Sequence, residues 1–481
     1  MTYKSVALAI AACLLPSQGF AQEVPPFAKP GTVAFEQSVL VSGLQGPWEI
    51  TWGPDDMLWV TERTAGRIDR IDPKSGQISP AFTLTDLATK SGQDGLLGLA
   101  LDPGLGKGNG HDFVYAGYTH FDPARRADPA VKDPASPYLH MYAKIVRLSY
   151  DAKLGTLSDP VILIDGLPAG ADHDSGRMKI GPDGKLYYTI GDRGNDQLAN
   201  WCIPIEAQRL PTTEEMSAKD YFSYQGKSLR MNLDGSIPTD NPVLNGVQSH
   251  IFTYGHRNMQ GISFGPDGTL YASEQGPKTD DEVNILKSGG NYGWPHVAGF
   301  QDDKAYQYAR WADATKPCAS LKFSDLAIDP SVPREDETAW KGTFIPPIAT
   351  LFTVPTGWNF ADPKCGNLQF ICWPTVAASS IEAYRPSKGG IPNFDNALLV
   401  TALKRGSLYR VPLSADGQTV LGPVERYFQT ENRYRDLAIS PDGHTIYIAT
   451  DPGGLHETVA GGVSDKVDNP GAILVFRYNG N

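Results

Sequence analysis

The 481 residues contain no block of lysine and arginine, no second long apolar run and little helical periodicity. Each absence closes a class of function. With 54 Asp and Glu against 42 Lys and Arg, the formal charge is −12. An acidic chain without a basic patch repels phosphate backbones and anionic lipid, which argues against nucleic-acid and membrane-surface binding. Beyond the first residues no stretch approaches the roughly 20 apolar residues of a membrane helix, so no membrane span is expected. Cysteine is sparse, five in all. There is no Cys-x-x-Cys pair and no histidine near CGNLQFIC, so a structural zinc site is a poor reading. Zincin, Walker and dinucleotide fingerprints are missing too, which leaves nicotinamide and phosphate chemistry without a handle.

What is present begins with a leader. MTYKSVALAIAACLLPSQGFAQ places Lys4 before an apolar run from Val6 to Leu15, then Pro16 and Gly-Phe-Ala before Gln22. This is the layout of a secretory signal. Residues 1–21 are read as a signal peptide and 22–481 as one soluble domain, periplasmic or secreted. Four cysteines then remain, an even number that suits an oxidising compartment. Cys365 and Cys372 are near enough to close a small loop; whether Cys202 and Cys318 pair is open.

A short signature recurs: WGPDDMLWVTE at Trp52, IGPDGKLYYTIGD at Ile180, FGPDGTLYASEQG at Phe264 and ISPDGHTIYIATD at Ile439, with LDPGLG at Leu101 as a degraded copy. Pro-Asp-Gly presets the first turn dihedral, bonds back to the backbone through Asp and supplies positive φ at Gly. The residues after it alternate apolar and polar and are rich in β-branched and aromatic types, as in a half-buried strand. No such unit buries both faces alone, so a radial array of four-stranded antiparallel sheets is expected, an all-β propeller. Wide gaps between copies leave room for a blade whose turn has drifted. HFDPARRADPAVKDPASPYLH from His120 reads as a surface loop. A short helix is expected within 211–221, where Thr212 and Glu215 suit a capping box.

Several clusters carry chemistry. Gly261-Ile-Ser-Phe-Gly265 matches a nucleophile-elbow pattern but runs into a turn and another strand, where the elbow needs a helix. Asp172-His173 lies just before a predicted strand, where propeller loops open onto the axial channel. His173 there is either a general base, oriented by a carboxylate such as Asp192, or a surface histidine bonded to a loop acid. Arg257 suits a developing oxyanion. Lys404, Arg405, Arg433 and Arg435 are either rim salt bridges or a grip on a polycarboxylated ligand. Asp280-Asp281-Glu282 and Gly299-Phe-Gln-Asp302-Asp303 offer hard oxygen ligands for calcium, or simply a solvated acidic surface.

Taken in order, SGQDGLLG at Ser91, DHDSGR at Asp172, IGDRGNDQL at Ile190, GKSLRMNLDGSIP at Gly226, GHRNMQG at Gly255, SEQGPKTDDE at Ser273, GGNYGWPHVAG at Gly289, CGNLQFICWPT at Cys365, LKRG at Leu403 and NRYRD at Asn432 resemble the soluble pyrroloquinoline quinone (PQQ) dependent glucose dehydrogenases, six-bladed propellers of the bacterial periplasm. The resemblance spans nearly the whole mature chain. It implies a quinoprotein that oxidises the C1 hydroxyl of glucose and related aldoses to the lactone by hydride transfer to PQQ, with electrons passed to an external acceptor. His173 would be the base and Asp192 its orienting partner. Gln93, Asp172, Gln197 and Arg257 match sugar-contacting positions, with Arg257 also facing the quinone oxygen. Arg257, Asn258, Thr375, Lys404, Arg433, Tyr434 and Arg435 fall on cofactor-binding positions. The backbone oxygens of Gly276 and Pro277 match a calcium beside the cofactor. Glu282, Tyr292, Ala298, Phe300, Asp302 and Glu337 match further calcium positions linked to a homodimer. Phe370 stands where those enzymes carry Tyr, Asp174 replaces a Gln after the base, and the loop from His120 to His140 is longer. The alternatives are a calcium-dependent propeller lactonase and a non-catalytic propeller that binds sugar or protein.

Overall fold

Each copy of the Pro-Asp-Gly signature turns the chain from the first to the second strand of an antiparallel sheet. The turns use their residues as expected. Asp183, Asp267 and Asp442 each accept a hydrogen bond from the backbone N–H two residues on, at 3.0–3.1 Å, and Gly184 adopts φ +68°. In the first copy Asp56 takes the left-handed position itself, at φ +56°. A computed structural model describes residues 28–90, 92–386 and 389–480. The signal-peptide reading of residues 1–21 falls outside the described residues, as does Ser91 of SGQDGLLG.

Six sheets result. From the axis outward, the first is Pro47–Trp52, Leu58–Glu62, Arg67–Ile71 and Ile78–Thr83, and the second Leu96–Leu101, Phe113–Phe121, Met141–Asp151 and Thr156–Pro168. The third is Met178–Ile180, Leu186–Ile190, Lys227–Met231 and Ile251–Tyr254, and the fourth Met259–Phe264, Leu270–Glu274, Glu282–Ile285 and Ala349–Thr350. The fifth, Ala378–Ala383, Ala397–Ala402, Ser407–Pro412 and Glu425–Tyr427, lacks the signature and carries Lys29–Pro30 as an added parallel strand. The sixth is Tyr434–Ile439, Thr445–Thr450, Ile473–Arg477 and Glu36–Val41, so an early segment completes the last sheet, Glu36 opposite Arg477. The first strands touch in ring order and the sixth meets the first. The protein is a closed six-bladed β-propeller.

Apolar residues fill the wedges between blades, for example Trp59, Ile68, Leu96, Val114 and Val146 between the first and second. Among the described residues the one α-helix is Thr213–Ala218, with the expected Thr212–Glu215 capping box. None of the described helices is long and apolar enough to cross a membrane. The 121–140 loop joins the second and third strands of blade two. Both cysteine pairs, Cys365–Cys372 and Cys202–Cys318, are disulfides.

The axis is polar. Arg177, 1% exposed and one residue before blade three's first strand, donates from Nη1 to Glu49 Oε2 at 2.6 Å and Asp436 Oδ2 at 2.8 Å. Its Nε reaches Gln260 O at 2.9 Å, Nη2 reaches Ser379 O at 3.0 Å, and Cζ lies 4.1 Å from the Trp48 ring centre. One guanidinium therefore bonds the first strands of blades one, four, five and six. Burial pushes the Glu49 carboxyl up to about 7 against the pull of Arg177. Arg177→Met removes the cation, leaving Asp436 without its charge partner and Glu49 with only Lys179 at 3.5 Å, which is expected to cost about 3–5 kcal/mol in urea unfolding. A loss below about 1 kcal/mol would mean that strand pairing alone holds the axis.

Candidate active site

The channel residues come from two places in each blade: just before the first strand or just after the second. Antiparallel pairing brings both places to one face of the ring. Gln93, His173, Asn258, Thr375 and Arg433 belong to the first place; Asp192, Gly276 and Lys404 belong to the second. The signature turns, at the other end of the same strands, lie on the opposite face.

His173 sits at φ +50° with 7% of its side chain exposed. Its Nδ1 lies 2.6 Å from Asp192 Oδ1, while Asp192 Oδ1 also accepts from Gly194 N at 2.9 Å and Oδ2 from Trp294 Nε1 at 2.8 Å. An ionised carboxylate can only accept, so Nδ1 carries the proton and Nε2 is the free basic nitrogen. That Nε2 is 3.9 Å from Asp172 Oδ1, which accepts from Gln93 Nε2 at 2.5 Å. Across the site Arg257 donates to Gln197 Oε1 at 2.6 Å and Gln275 O at 3.0 Å, with Cζ 5.5 Å from the Trp294 ring centre. Thus His173, Asp192, Arg257, Gln93, Asp172 and Gln197 are brought together. Arg257 Nε and Gln197 Nε2 are buried without a hydrogen bond among the described residues, which suits a site that receives an oxygen-rich ligand.

The cations converge as well. Arg433 and Arg435 both bond Asp451, at 3.1 and 2.8 Å. Burial works against the Asp451 charge, yet Arg435, Arg433 and Arg63 hold it at about 2. Lys404 Nζ donates to Thr375 Oγ1 at 2.6 Å and to the carbonyls of Phe370 and Trp373 at 3.1 and 3.2 Å. Burial lowers Lys404 to about 8, with Arg405 and Arg433 adding repulsion. Asn258 is buried and donates to Gln275 Oε1 at 3.0 Å. Two predicted residues stand apart. The Tyr434 ring, fully buried, packs with Phe476 and donates to Phe428 O at 3.0 Å. Strand alternation sends it away from the face shared by Arg433 and Arg435. Arg405 forms a rim ion pair with Glu457.

The expected calcium residues fall in two groups. Gly276 N donates to Asp281 Oδ1 at 2.8 Å, and a Cβ on Gly276 would meet Thr279 O at 2.2 Å. Pro277 shares a cavity wall with Gln197 and Trp294. Farther out, Glu282 accepts from Gly299 N at 2.6 Å, while Glu337 accepts from Ala298 N and Asp303 N at 3.0 Å and from Asp302 N at 3.3 Å. Tyr292 is buried, with its hydroxyl on Ile285 O at 2.6 Å, and Phe300 is exposed. The described residues include no group of three acidic, histidine or cysteine side chains in metal-binding arrangement. The surroundings nonetheless suit a divalent cation. Burial raises Glu337 to about 8 and Asp280 to about 7, and Asp280 Oδ2 is buried without a partner among the described residues. Calcium takes carboxylate oxygens together with backbone carbonyls, and Asp280, Glu282 and Glu337 supply carboxylates here.

A family model described as glucose/sorbosone dehydrogenase matches residues 44–346 and 362–457. The chain belongs to this family. Quinoprotein glucose dehydrogenase B of Acinetobacter calcoaceticus is 43% identical over 455 residues, 94% of this chain and 93% of that one. Aldose sugar dehydrogenase YliI of Escherichia coli is 29% identical, over 88% of this chain and 92% of its own. The PQQ-bound form of aldose sugar dehydrogenase from Streptomyces coelicolor, 25% identical, matches 94% of this chain and 99% of that chain with a TM-score of 0.59.

Within this dehydrogenase chain, the sequence reading passed over Arg63 and gave no role to Gln275 and Trp294, although both fall within quoted motifs. Arg63 was detectable: it follows the second strand of the first signature copy as Asp451 follows that of the last, and Lys404 holds the same place in blade five. Trp294 lies in GGNYGWPHVAG, but its contact with Asp192 spans 102 residues, which the motif does not reveal.

Lys404 yields a pH test. Below pH 8 it is protonated in both folded and unfolded chains, and burying the charge costs stability. Between pH 8 and 10.5 only the unfolded chain keeps the proton, so stability rises with pH. Lys404→Met is expected to show its greatest advantage over the parent below pH 8, by up to about 3 kcal/mol before a constant offset for lost hydrogen bonds. Urea unfolding of the cofactor-free protein at pH 7 and 10 measures it; an advantage that fails to shrink rejects the buried-cation account.

Proposed function

We propose that the chain is an exported, soluble quinoprotein that oxidises the C1 hydroxyl of glucose and related aldoses to the lactone, with PQQ as hydride acceptor and calcium beside it. Electrons then pass to an external acceptor, and the working form is a homodimer. The observation that carries this reading is the His173–Asp192 pair, its Nε2 free, set in a channel of converging cations. Its support is the 43% identity to a protein named quinoprotein glucose dehydrogenase B and the likeness to a PQQ-bound aldose sugar dehydrogenase.

PQQ, when bound, supplies a quinone carbon that accepts hydride and three carboxylates for cations to hold. The chain's residues do the rest. His173 Nε2 takes the proton from the anomeric hydroxyl, while Nδ1 keeps its own proton on Asp192 Oδ1. Trp294 fixes the other oxygen of Asp192, so the imidazole cannot rotate out of line. Gln93, Asp172 and Gln197 orient the sugar hydroxyls. Arg257 stabilises negative charge opposite the base. Lys404, Arg433 and Arg435, with Asn258 and Thr375 between them, hold the cofactor's anionic groups. The Gly276 and Pro277 carbonyls would hold a calcium that polarises the quinone oxygen. A calcium-dependent lactonase has no use for three such cations around one pocket.

Two measurements test the reading. His173→Gln is expected to cut turnover by at least about 10²-fold while PQQ still binds; near-normal turnover refutes the assigned base. In the chelator-stripped wild type, glucose-dependent dye reduction is expected only when PQQ and calcium are both restored. Dye reduction without PQQ, or failure to bind PQQ at all, rejects the quinoprotein reading.

A further inference from the structure

The turn that carries Asp192 is unusual in its backbone and in what grips it. Arg193, Asp196 and Leu198 all have positive φ, at 64°, 59° and 45°. Non-glycine residues hold such conformations only where their surroundings enforce them. Arg193 is the residue between Asp192, which bonds the base, and Gly194, whose N–H bonds the same carboxylate oxygen at 2.9 Å. A shift of Arg193 moves both ends of that contact.

What enforces Arg193 comes from another blade. Its Nη1 forms an ion pair with Asp128 Oδ2, the two side chains 6% and 5% exposed. Asp128 belongs to the long 121–140 loop and is fixed within it: its N–H donates to Leu139 O at 2.8 Å, and its Oδ1 accepts from Ala130 N at 2.8 Å. The loop starts just after the second strand of blade two, the place that supplies Asp192 in blade three, which is why it reaches the channel face. On its other side the guanidinium lies against Gly170, where a Cβ would come 3.2 Å from Nε. Gly170 N in turn donates to Asp174 Oδ1 at 2.7 Å, and Asp174 directly follows the base. Arg193 therefore touches the loop, the Asp192 turn and the segment carrying His173. Its backbone oxygen is held by Asn200 Nδ2 at 2.8 Å.

The loop is also held at its ends, by Tyr138 packed on the core and by Arg126 paired with Asp220 at 3.1 Å, but neither contact reaches the Asp192 turn. A cavity of about 570 Å³ separates residues 130–138 of the loop from Gly170, Arg193, Asn195 and Trp201.

We propose that Arg193 is a positioning residue of the reaction: its buried ion pair with Asp128 docks the 121–140 loop on the Asp192 turn and holds the His173–Asp192 pair in line. The proposal rests on His173 being the base.

In the PQQ- and calcium-loaded protein, Asp128→Asn and Arg193→Gly are expected to lower kcat by about 10²-fold, the cost of a misplacement of about 1 Å, with KM for glucose changing much less. Arg193→Gly suits the left-handed backbone, so its folding is protected while the tether is lost. Arg193→Lys keeps the ion pair and is expected to recover most of kcat. A second readout needs no turnover: in the cofactor-free chain, amide exchange at Gly194 is expected to speed up by at least about tenfold in Asp128→Asn and Arg193→Gly, but not in Arg193→Lys. Loss of turnover in His173→Gln alongside wild-type kcat in the two tether variants, with only melting temperature lowered, overturns the positioning role alone. Wild-type kcat in His173→Gln as well overturns the base assignment beneath it.

Discussion

Everything in this propeller turns on how six converging strands accommodate one buried guanidinium. Inner strands meet too closely at the axis for large apolar side chains from every blade, and a polar axis must satisfy its own groups. Arg177 does so because its donors form a rigid fork that addresses several directions at once. It joins two carboxylates, two backbone carbonyls and the Trp48 face. Lysine, with a compact charge on a flexible stem, would not fix four strands to one another. The linkage also runs toward the channel. Gln260, whose carbonyl Arg177 holds, donates through its side chain to Asn258 Oδ1 at 2.9 Å and accepts from Arg435 at 3.3 Å. Ring geometry and site geometry are thereby one network.

The channel holds positive charge inside a protein of net charge −12. Arg63, Arg433 and Arg435 crowd one carboxylate, and Lys404 is buried enough to be pulled down to about 8. Like charges are kept that close only where other interactions enforce it, here by Asp451 and by backbone carbonyls. The protein carries the electrostatic strain in advance, strain that an anionic ligand bound among these cations would relieve.

The fold was more legible than the site. Pro-Asp-Gly announces itself because a tight turn admits few residues, and it marked blades one, three, four and six; blade five escaped because its turn drifted beyond recognition. His173, Asp192 and the cations were readable because they occupy equivalent places in the repeat. Tyr434 was misleading to motif reading alone, since it sits between two channel arginines yet faces the core by strand alternation. The reach of Trp294 to Asp192, and the grip of Asp128 on Arg193, left no local trace, because each contact joins distant segments along loop paths that periodicity does not encode. The Cys202–Cys318 pair is of the same kind, joining positions 116 residues apart.

The clasp of the sixth blade has a mechanical side. Glu36–Val41 runs antiparallel to Ile473–Arg477, with Glu36 facing Arg477, so both ends of the described chain leave the ladder from the same edge. Tension applied between them first strips Lys29–Pro30 from blade five and then loads the hydrogen bonds of the sixth blade one after another from that edge. The ring therefore opens under a pull by unzipping, at a far lower force than if the two strands had to slide past each other with every bond strained together.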